Sequence, residues 1–523
     1  MLDLDKKRYD TPDAAGIPDD IPKEDFEFVQ RNEEIHDKKP ETKPVGFFKD
    51  AMRRFAGNKS SVAAGIIILL LVLYAVLVPI IGANKYTTSL TDTTYLQYSK
   101  LLPKSKLPAF FKWDGCKDVT VSRENYLIYE AIGQETGIHP VTEVYRADYK
   151  DPSGNSDTTF YDVRLDSYTQ SGMTFLTLNT EEYLDIQKYQ NESGVQVIYP
   201  AVDTKKMKVE SLKSNPNIWY TCTNKGVPKV TDDGKFTDIY KTNGTDDYDS
   251  LRVEGDNGEY RYALLSGTSD AKSYKVRVFT YNYFRYRYGF EPSFLFGTNA
   301  YGQDILTRLA SGARFSLIFA LCISTINLFI GAFYGAVEGY YGGATDLIME
   351  RISDILSEVP FLVVVSLFQL HLAKKVGTVP SLLFAFVLTD WIGMASLVRM
   401  QFYRYKNQEY ILAARTMGAG DFRLMFRHIF PNAIGTIITG CVLTIPGVIY
   451  TESNMTYLGI VNLDSSTRTS VGSLVSGGQA LLATYPHVVL FPALYISLLM
   501  ISFNLFGNGL RDAFNPSLRG SED

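Results

Sequence analysis

Near its C-terminal end the chain carries, from Arg399 to Asn432, the sequence RMQFYRYKNQEYILAARTMGAGDFRLMFRHIFPN. This stretch lies between two apolar segments and is itself too polar to enter the interior of a bilayer. Its first part predicts a helix, because apolar residues recur at i, i+3, i+4 and i+7 on one face: Tyr410, Ala413, Ala414 and Met417. The glycines from Gly418 to Gly420 break that helix, since glycine readily adopts the left-handed conformation that a helix end needs.

A second short helix is predicted directly after these glycines. Asp421 is placed to cap the helix, and Pro431 is placed to end it. Its apolar face consists of Phe422, Met425, Phe426 and Ile429. A helix–turn–helix between membrane segments, with small residues on its face, indicates a docking site for another protein.

The composition of the 523 residues conceals very polar and very apolar segments, and the length predicts more than one domain. The net charge of −5 says little about partners, and we expect no nucleic-acid partner. Cys116 and Cys222 lie in one polar region and can form a disulfide if that region is extracytoplasmic. Two cysteines alone leave the disulfide and two free thiols equally open.

The N-terminal part predicts a membrane anchor. Residues 1–58 form a polar cytoplasmic tail that ends in an amphipathic helix, and residues 59–83 form transmembrane helix 1. The apolar run of about twenty residues is long enough to cross a bilayer roughly 30 Å thick, so we expect an uncleaved anchor. Arg53, Arg54 and Lys59 place its N-terminal side in the cytoplasm.

Residues 84–292 are soluble in character, with turn signals and short runs of residues that favour strands. We therefore predict a large β-rich domain, inserted between helices 1 and 2 and lying outside the cell. Its length is sufficient for a hydrophobic core of its own.

Residues 293–512 contain five further apolar segments, which gives six transmembrane helices in a polytopic α-helical membrane protein. The segments are Phe315–Val337, Val359–Leu372, Val376–Val398, Ala433–Tyr450 and Val488–Phe506. The third helix is the weakest prediction, because its uncharged part is short, and we expect it to extend backwards through Ile348–Ser357. Six crossings return the tail at 513–523 to the cytoplasm. The loop at 399–432 then also lies inside, where its excess of basic residues agrees with the positive-inside rule.

Two further patterns admit more than one interpretation. Gly331, Gly335 and Gly339 form a ladder on one helical face, which predicts close packing against another helix, either within the chain or in a second subunit. Asp390 and Glu452 are ionisable residues inside or at the end of apolar segments, and such residues serve proton-coupled carriers as relays. Neither has a basic partner at helical spacing, which argues against a relay.

The sequence holds no cluster of metal ligands, no nucleophile elbow and no complete phosphate-binding loop. We therefore expect no catalytic residue, metal or cofactor on this chain.

Taken together, ordered motifs resemble the ABC importer permeases, and more narrowly the C-type subunit of oligopeptide, dipeptide and nickel transporters. The resemblance covers residue 296 to the C-terminus and the first transmembrane segment. It rests on the EAA loop, Glu409–Gly420 followed by Arg427–Asn432, and on three further segments: Phe296–Asp304 continuing to Gly312–Leu317, Gly339–Gly343, and Phe503–Asp512. Asn299 and Gln303 depart from the usual Asp and Arg, so an ion pair between these positions is absent, and Leu412 replaces the consensus Glu.

The resemblance implies a multi-pass protein of the bacterial cell membrane that forms half of a translocation pore. The partners it implies are a second homologous permease, two ABC ATPase subunits that bind ATP and Mg, an extracellular substrate-binding lipoprotein and membrane lipid. It also implies that the loop docks into an ATPase subunit through these ATPase-coupling residues: Glu409, Tyr410, Ala413, Ala414, Arg415, Met417, Gly418 and Pro431.

The substrate expected from the resemblance is an oligopeptide, while a nickel chelate or another small solute stays open. The inserted outer domain is either a capture site for the binding protein or a spacer. Two alternatives from other classes are a membrane-anchored ligand sensor or adhesion protein and a proton-coupled secondary transporter.

Overall fold

The computed structural model describes residues 47–82, 93–105, 113–150, 159–240, 264–266, 273–465 and 468–514. Most of the predicted N-terminal tail and the last residues of the C-terminal tail lie outside these ranges. Two compact units divide the chain, one ending at Arg53 and one beginning at Arg54. The described part of the first unit, residues 47–53, forms the first turns of helix α1 (Phe47–Gly57).

The second unit begins with the end of α1 and continues into α2 (Lys59–Gly82), the predicted anchor. The side chains of α2 are apolar on every face, and Leu69, Leu70 and Ile81 are each more than half exposed. A helix that exposes apolar side chains in this way fits a lipid surrounding, in which apolar side chains need no cover from protein.

The inserted region is not the β-rich domain that its composition predicts. Its described part contains two small sheets, three α-helices and short 3-10 helices. The first sheet is antiparallel in the order β1–β3–β2, with β1 at Cys116–Ser122, β2 at Val141–Lys150 and β3 at Thr159–Asp166. In the second sheet β7 (Ser273–Phe279) pairs with β4 (Met173–Asn179), β5 (Ile198–Tyr199) and β6 (Leu264–Ser266). The helices are α3 (Arg123–Thr136), α4 (Thr180–Ser193) and α5 (Thr280–Tyr288).

Local capping explains why helices form in this Tyr- and Thr-rich region. Ser122 accepts a hydrogen bond from the backbone of Asn125 at the start of α3. Asn179 and Glu182 form a reciprocal capping box at the start of α4. Composition alone does not report these pairs of residues, so the sequence predicts a β-rich domain where the structure has helices as well as two small sheets.

The two cysteines of the insertion are free thiols. Cys116 begins β1, whereas Cys222 lies in an irregular segment beside the buried aromatic side chains of Trp219 and Tyr220. The disulfide that the sequence left open is therefore not formed.

Two hydrogen bonds join the insertion to the segment that leads into α6 (Ile305–Tyr341), the long helix that follows it. Leu101 donates to the Thr298 hydroxyl over 2.8 Å, and the Thr298 backbone donates to the Leu101 carbonyl over 2.9 Å. The side-chain amide of Asn299 donates a hydrogen bond to that of Gln303 over 3.1 Å, so an uncharged hydrogen bond takes the place of the missing ion pair. The insertion is thus attached at the N-terminal end of α6.

Five helices in the described part of the chain are long and apolar enough to cross a membrane, and a bent pair makes a sixth. The five are Lys59–Ile81, Ile305–Tyr341, Thr378–Tyr405, Asp421–Tyr457 and His487–Phe514. The bent pair consists of α7 (Gly343–Ser357) and α8 (Phe361–His371), which meet at 70°. This pair is the third segment that the sequence predicts only weakly, and Pro360, which has no N–H, lies at the bend.

The remaining elements complete the helical part. Thr378–Tyr405 is built from α10 (Thr378–Thr389) and α11 (Trp391–Tyr405), preceded by the short α9 (Ala373–Val376). The later helices are α12 (Glu409–Thr416), α13 (Asp421–Arg423), α14 (Phe430–Tyr457), α15 (Val471–Gly478) and α16 (His487–Phe514).

The glycine ladder of α6 packs against α11 of the same chain. A Cβ atom on Gly331 would lie 2.7 Å from the Cβ of Met394, and one on Gly339 would lie 2.7 Å from the Cβ of Phe402. A Cβ on Gly335 would collide with the carbonyl group of Ala395. Of the two interpretations, the ladder therefore serves packing within the chain.

Candidate functional site

The stretch between the fourth and fifth membrane segments forms the short helix α12 and a glycine turn. The turn closes at Gly418, whose φ of +85° places it in the left-handed region. Gly418 donates to the carbonyl of Arg415 over 2.9 Å, and Ala419 donates to the carbonyl of Ala414 over 3.1 Å. These two bonds satisfy carbonyl groups at the end of α12, as in a glycine-terminated helix.

One face of α12 is buried against the chain's own helices. Ile411 is fully buried and Ala414 is 6% exposed, and both belong to an apolar cluster with the buried Leu424 and Ile429. The sequence placed Ala414 on the docking face, and in the structure it points inward. The predicted stripe is thus divided between two faces, because the turn that follows packs back onto α12.

Apolar side chains on the other side of α12, at its end and in α13 are exposed to solvent. Met417 is 81% exposed, Phe422 is 73% exposed, and Tyr410 and Leu412 are each more than two-fifths exposed. Ala413 is exposed between them. We call these five residues the apolar knob. Leu412 and Phe422 are not among the predicted ATPase-coupling residues, although the sequence places Phe422 on the apolar face of the second helix.

The second helix differs from its prediction at both ends. Asp421 does not cap it; its carboxylate accepts a hydrogen bond from the Tyr340 hydroxyl over 2.6 Å. Pro431 does not end it, since it lies in the first turn of α14 after a π-helical segment at Leu424–Ile429. Proline has no N–H to donate to the preceding turn, and a widened turn of this kind accommodates the missing donor within a continuous helix.

A cluster of charges holds the neighbouring helices together beside the knob. The guanidinium group of Arg399, in the middle of α11, binds the carboxylate of Asp346 over 2.7 and 3.0 Å and that of Glu350 over 2.9 and 3.2 Å. It also lies 3.6 Å from the buried carboxylate of Glu338 on α6. The Tyr403 hydroxyl donates to Asp346 over 2.6 Å. These contacts join α6, α7 and α11 through one arginine.

A second set of contacts joins α12 to the end of α6. The Arg415 guanidinium donates to the Tyr340 hydroxyl over 3.2 Å, and that hydroxyl donates onward to Asp421. The Lys406 ammonium donates to the carbonyl of Gly339 over 2.9 Å, and burial lowers the pKa of this lysine. The knob is therefore tied to the ends of the membrane helices on both sides of the glycine turn.

Sequence reasoning counted Arg399, Lys406 and Arg415 only as basic residues of a cytoplasmic loop or as part of the motif. The sequence feature that points to Arg399 is the group of carboxylates at Glu338, Asp346 and Glu350. Asp346 precedes Arg399 by 53 residues and Glu350 precedes it by 49. The three carboxylates can share Arg399 only if α6 and α7 both lie beside α11. The sequence alone does not reveal this arrangement of the helices.

The two carboxylates inside the helical part are hydrogen-bonded to neutral groups. Asp390 accepts from the side-chain amide of Asn327 over 3.2 Å. Glu452 is fully buried and accepts from the hydroxyl of Ser316 over 2.9 Å. Neither forms an ion pair within the part of the chain that the structure describes. Neutral donors of this kind satisfy buried carboxylates without requiring proton transfer.

The ends of the chain match two families in succession. Residues 46–103 match the N-terminal transmembrane domain of oligopeptide transport permease C. Residues 327–520 match the binding-protein-dependent transport system inner membrane component. The second match contains α12, the glycine turn and Arg399.

Curated relatives agree with these matches. The chain is 43% identical to the oligopeptide transport system permease protein OppC of Bacillus subtilis over 224 residues, which cover 43% of this chain and 72% of that protein. It is 40% identical to the dipeptide transport system permease protein DppC of the same organism over 225 residues, 43% of this chain and 69% of that protein. Among solved structures, a chain of the inward-facing MetNI methionine ABC transporter matches with a TM-score of 0.34 and 16% identity, covering 40% of this chain and 96% of that one.

Proposed function

The chain belongs to the binding-protein-dependent inner-membrane transport components, in the branch of the oligopeptide permease C proteins, and we propose that its cargo is an oligopeptide. It is a multi-pass membrane permease and not itself a catalyst. In the proposed complex it forms half of the pore with a second, homologous permease. Two ABC ATPase subunits bind ATP and Mg on the cytoplasmic side, and a substrate-binding lipoprotein delivers the peptide from outside.

The apolar knob is the observation that carries this proposal. Met417 and Phe422 expose most of their surface to water. Removing apolar surface from water is favourable by roughly 25 cal/mol per Å², so contact with a partner protein would stabilise these side chains. Side chains of this kind, held on a helix that is tied down by Arg415 and Tyr340, fit a cleft on a partner protein. An ATPase subunit that receives the knob could then move the membrane helices when it closes on ATP.

The length of α6 supports the proposed orientation. This helix has 37 residues and is therefore about 55 Å long, more than the roughly 30 Å of a bilayer core. The insertion is hydrogen-bonded to the segment just before the first residue of α6. Near its last residue, Tyr340 is hydrogen-bonded to Arg415 of α12, the helix that carries part of the knob. With the knob and both termini in the cytoplasm, the insertion lies outside, where a binding protein docks.

Copurification tests the assignment of the knob. The full chain is expressed with the ATPase subunits and the second permease, and Met417→Asp and Phe422→Asp are compared with the unchanged chain. Both variants are expected to lose most of the bound ATPase and the ATP-dependent uptake of peptide, because a carboxylate in an apolar cleft loses its hydration. Tyr301→Asp is the matched control, since Tyr301 is 48% exposed near the opposite end of α6. Retention of ATPase and uptake by both knob variants would refute the proposal.

A further inference from the structure

A cleft of about 280 Å³ is lined only by residues of the insertion. One wall is the face of the second sheet that carries Phe175, Lys275 and Arg277. The other wall is the irregular segment at 200–218, which supplies the apolar side chains of Val202, Met207 and Ile218. The cleft therefore combines apolar side chains on both walls with the ammonium groups of Lys213 and Lys275 and with polar side chains of the 200–218 segment.

Arg277, on the sheet wall of the cleft, is held in place and its charge is neutralised by Glu135. Its guanidinium group binds the carboxylate of Glu135 on α3 through two bonds of 2.9 Å and donates to the carbonyl of Pro200 over 2.7 Å and to that of Pro216 over 2.9 Å. Both charged side chains are almost fully buried. A paired arginine with this many bonds holds the sheet, α3 and the 200–218 segment in one arrangement, so the cleft is preformed.

Lys275 is the cation that remains for a ligand. Its ammonium group lies 5.0 Å from the centre of the Phe175 ring and forms no ion pair with any carboxylate among the described residues. Lys213, the other lysine of the lining, is already paired with Glu210 over 2.6 Å. The cleft thus presents one unneutralised ammonium group beside apolar side chains.

We propose that this cleft binds the C-terminal residue of a peptide, with the free carboxylate on Lys275 and an apolar side chain against Met207 and Ile218. The choice of a peptide rests on the proposed function. A cleft of this size lies just below the roughly 300–1,000 Å³ of sites for whole drug-sized ligands, and so holds the end of a peptide and not its full length. The insertion would collect cargo beside the outer mouth of the pore, apart from the binding protein.

Peptide binding to the purified full-length chain, without its partners, tests the proposal. The probe is the peptide Ala-Ala-Ala-Ala-Leu with a fluorophore on its amino group, and binding is followed by fluorescence anisotropy. The same peptide with an amidated C-terminus is expected to bind about tenfold more weakly, since it lacks the charge-assisted bond to Lys275. Lys275→Gln should weaken the free acid by a similar factor and leave the amide unchanged. Lys229→Gln, an exposed lysine of the same domain, is the matched control.

Three results overturn the proposal. The first is equal affinity for the acid and the amide in the unchanged chain, a comparison that needs no variant to fold. The second is undiminished binding of the acid by Lys275→Gln. The third combines two observations: no free peptide binds to the unchanged chain, and the purified binding protein binds to the unchanged chain but not to Lys275→Gln. This result would assign the cleft to an acidic side chain of the binding protein. Copurification with ATPases and peptide uptake, measured on the same proteins, report separately whether the import function holds.

Discussion

At the residue scale, backbone conformation and burial decide what single side chains can do. Gly418 has a φ of +85°, and a Cβ built on it would meet no atom within 4 Å. Its requirement for glycine therefore comes from the backbone alone. Gly420, two residues later, also has open space around it but has an ordinary φ of −72°. The two glycines of this turn both have room for a side chain and differ in backbone conformation, so a comparison of substitutions at the two positions isolates the effect of the backbone.

Gly418→Val is expected to reduce peptide uptake and peptide-stimulated ATPase activity of the assembled complex. A β-branched residue in the left-handed region costs about 1–3 kcal/mol, and the turn can relieve that strain only by moving the knob. Gly418→Asn should have a smaller effect, because asparagine tolerates this region. Gly420→Ala is the control and should retain both activities. Equal activity of Gly418→Val and Gly420→Ala would contradict the assigned role of Gly418.

Cys116 and Cys222 are expected to be recovered as free thiols when the protein is denatured and alkylated without reductant. Burial, together with the carboxylates of Asp166 and Asp114, raises the pKa of the Cys116 thiol to about 11. In a variant that keeps only Cys116, alkylation of the folded protein should therefore be slow at pH 8 and rise about tenfold per pH unit towards the pKa, because the thiolate is the reactive form. Mass spectrometry measures both results. A mass lower by two hydrogens and no alkylation at either cysteine would indicate a disulfide instead.

At the scale of elements, hydropathy gives the membrane helices but not their contacts. Each of the six predicted apolar segments overlaps a helix or a broken helix pair in the part of the chain that the structure describes, and the weak third one is the bent pair of α7 and α8. The sequence could not show that the α6 glycines face α11, nor that Ala414 points inward, because both depend on how helices pack. The insertion was misread because Tyr and Thr favour strands in isolation, whereas the caps at Ser122 and Asn179 determine two of its helices.

Arg399→Ala is expected to lower the amount of peptide transported per ATP hydrolysed while leaving ATPase copurification intact. The change leaves the carboxylates of Glu338, Asp346 and Glu350 close to one another without the guanidinium group that bridges them. It also leaves the hydrogen bond from Tyr403 to Asp346 as the remaining side-chain bond between α7 and α11 among the residues that the structure describes. The Arg399 side chain is partly exposed, so we expect a loss of about 1–3 kcal/mol in the coupling of these helices.

Two further variants make this test specific. Arg399→Lys should restore part of the transport, since an ammonium supplies the charge but cannot bind two carboxylates in the same geometry. Arg351→Ala removes an exposed ion pair with Asp354 on the same helix α7 and should leave transport unchanged. An equal loss in Arg351→Ala, or none in Arg399→Ala, would show that the Arg399 cluster does not transmit motion.

At the scale of the whole molecule, α6 connects the two parts that distinguish this chain. The segment just before its first turn is hydrogen-bonded to the insertion. Its last turns pack against α11, and Tyr340 is hydrogen-bonded to Arg415 of α12, which carries part of the knob. The insertion also reaches the start of α16, where the rings of Trp113 and Phe491 lie 5.7 Å apart. A protein that binds the insertion therefore contacts a domain attached to two membrane helices, which a loose spacer would not provide.

Removal of residues 106–292 tests whether the insertion receives the binding protein. The backbone N–H of Lys104 lies 2.9 Å from the carbonyl oxygen of Phe294, so a short glycine linker can rejoin the chain without disturbing the bonds between Leu101 and Thr298. The shortened protein is expected to copurify with the ATPases as before, since the knob and the Arg399 cluster are retained. Its affinity for the binding protein should fall at least about tenfold, as expected when an interface loses its central contacts. Unchanged affinity, measured by surface plasmon resonance on the assembled complex, would make the insertion a spacer. An equal loss of ATPase copurification would instead show that the helical part does not fold without it.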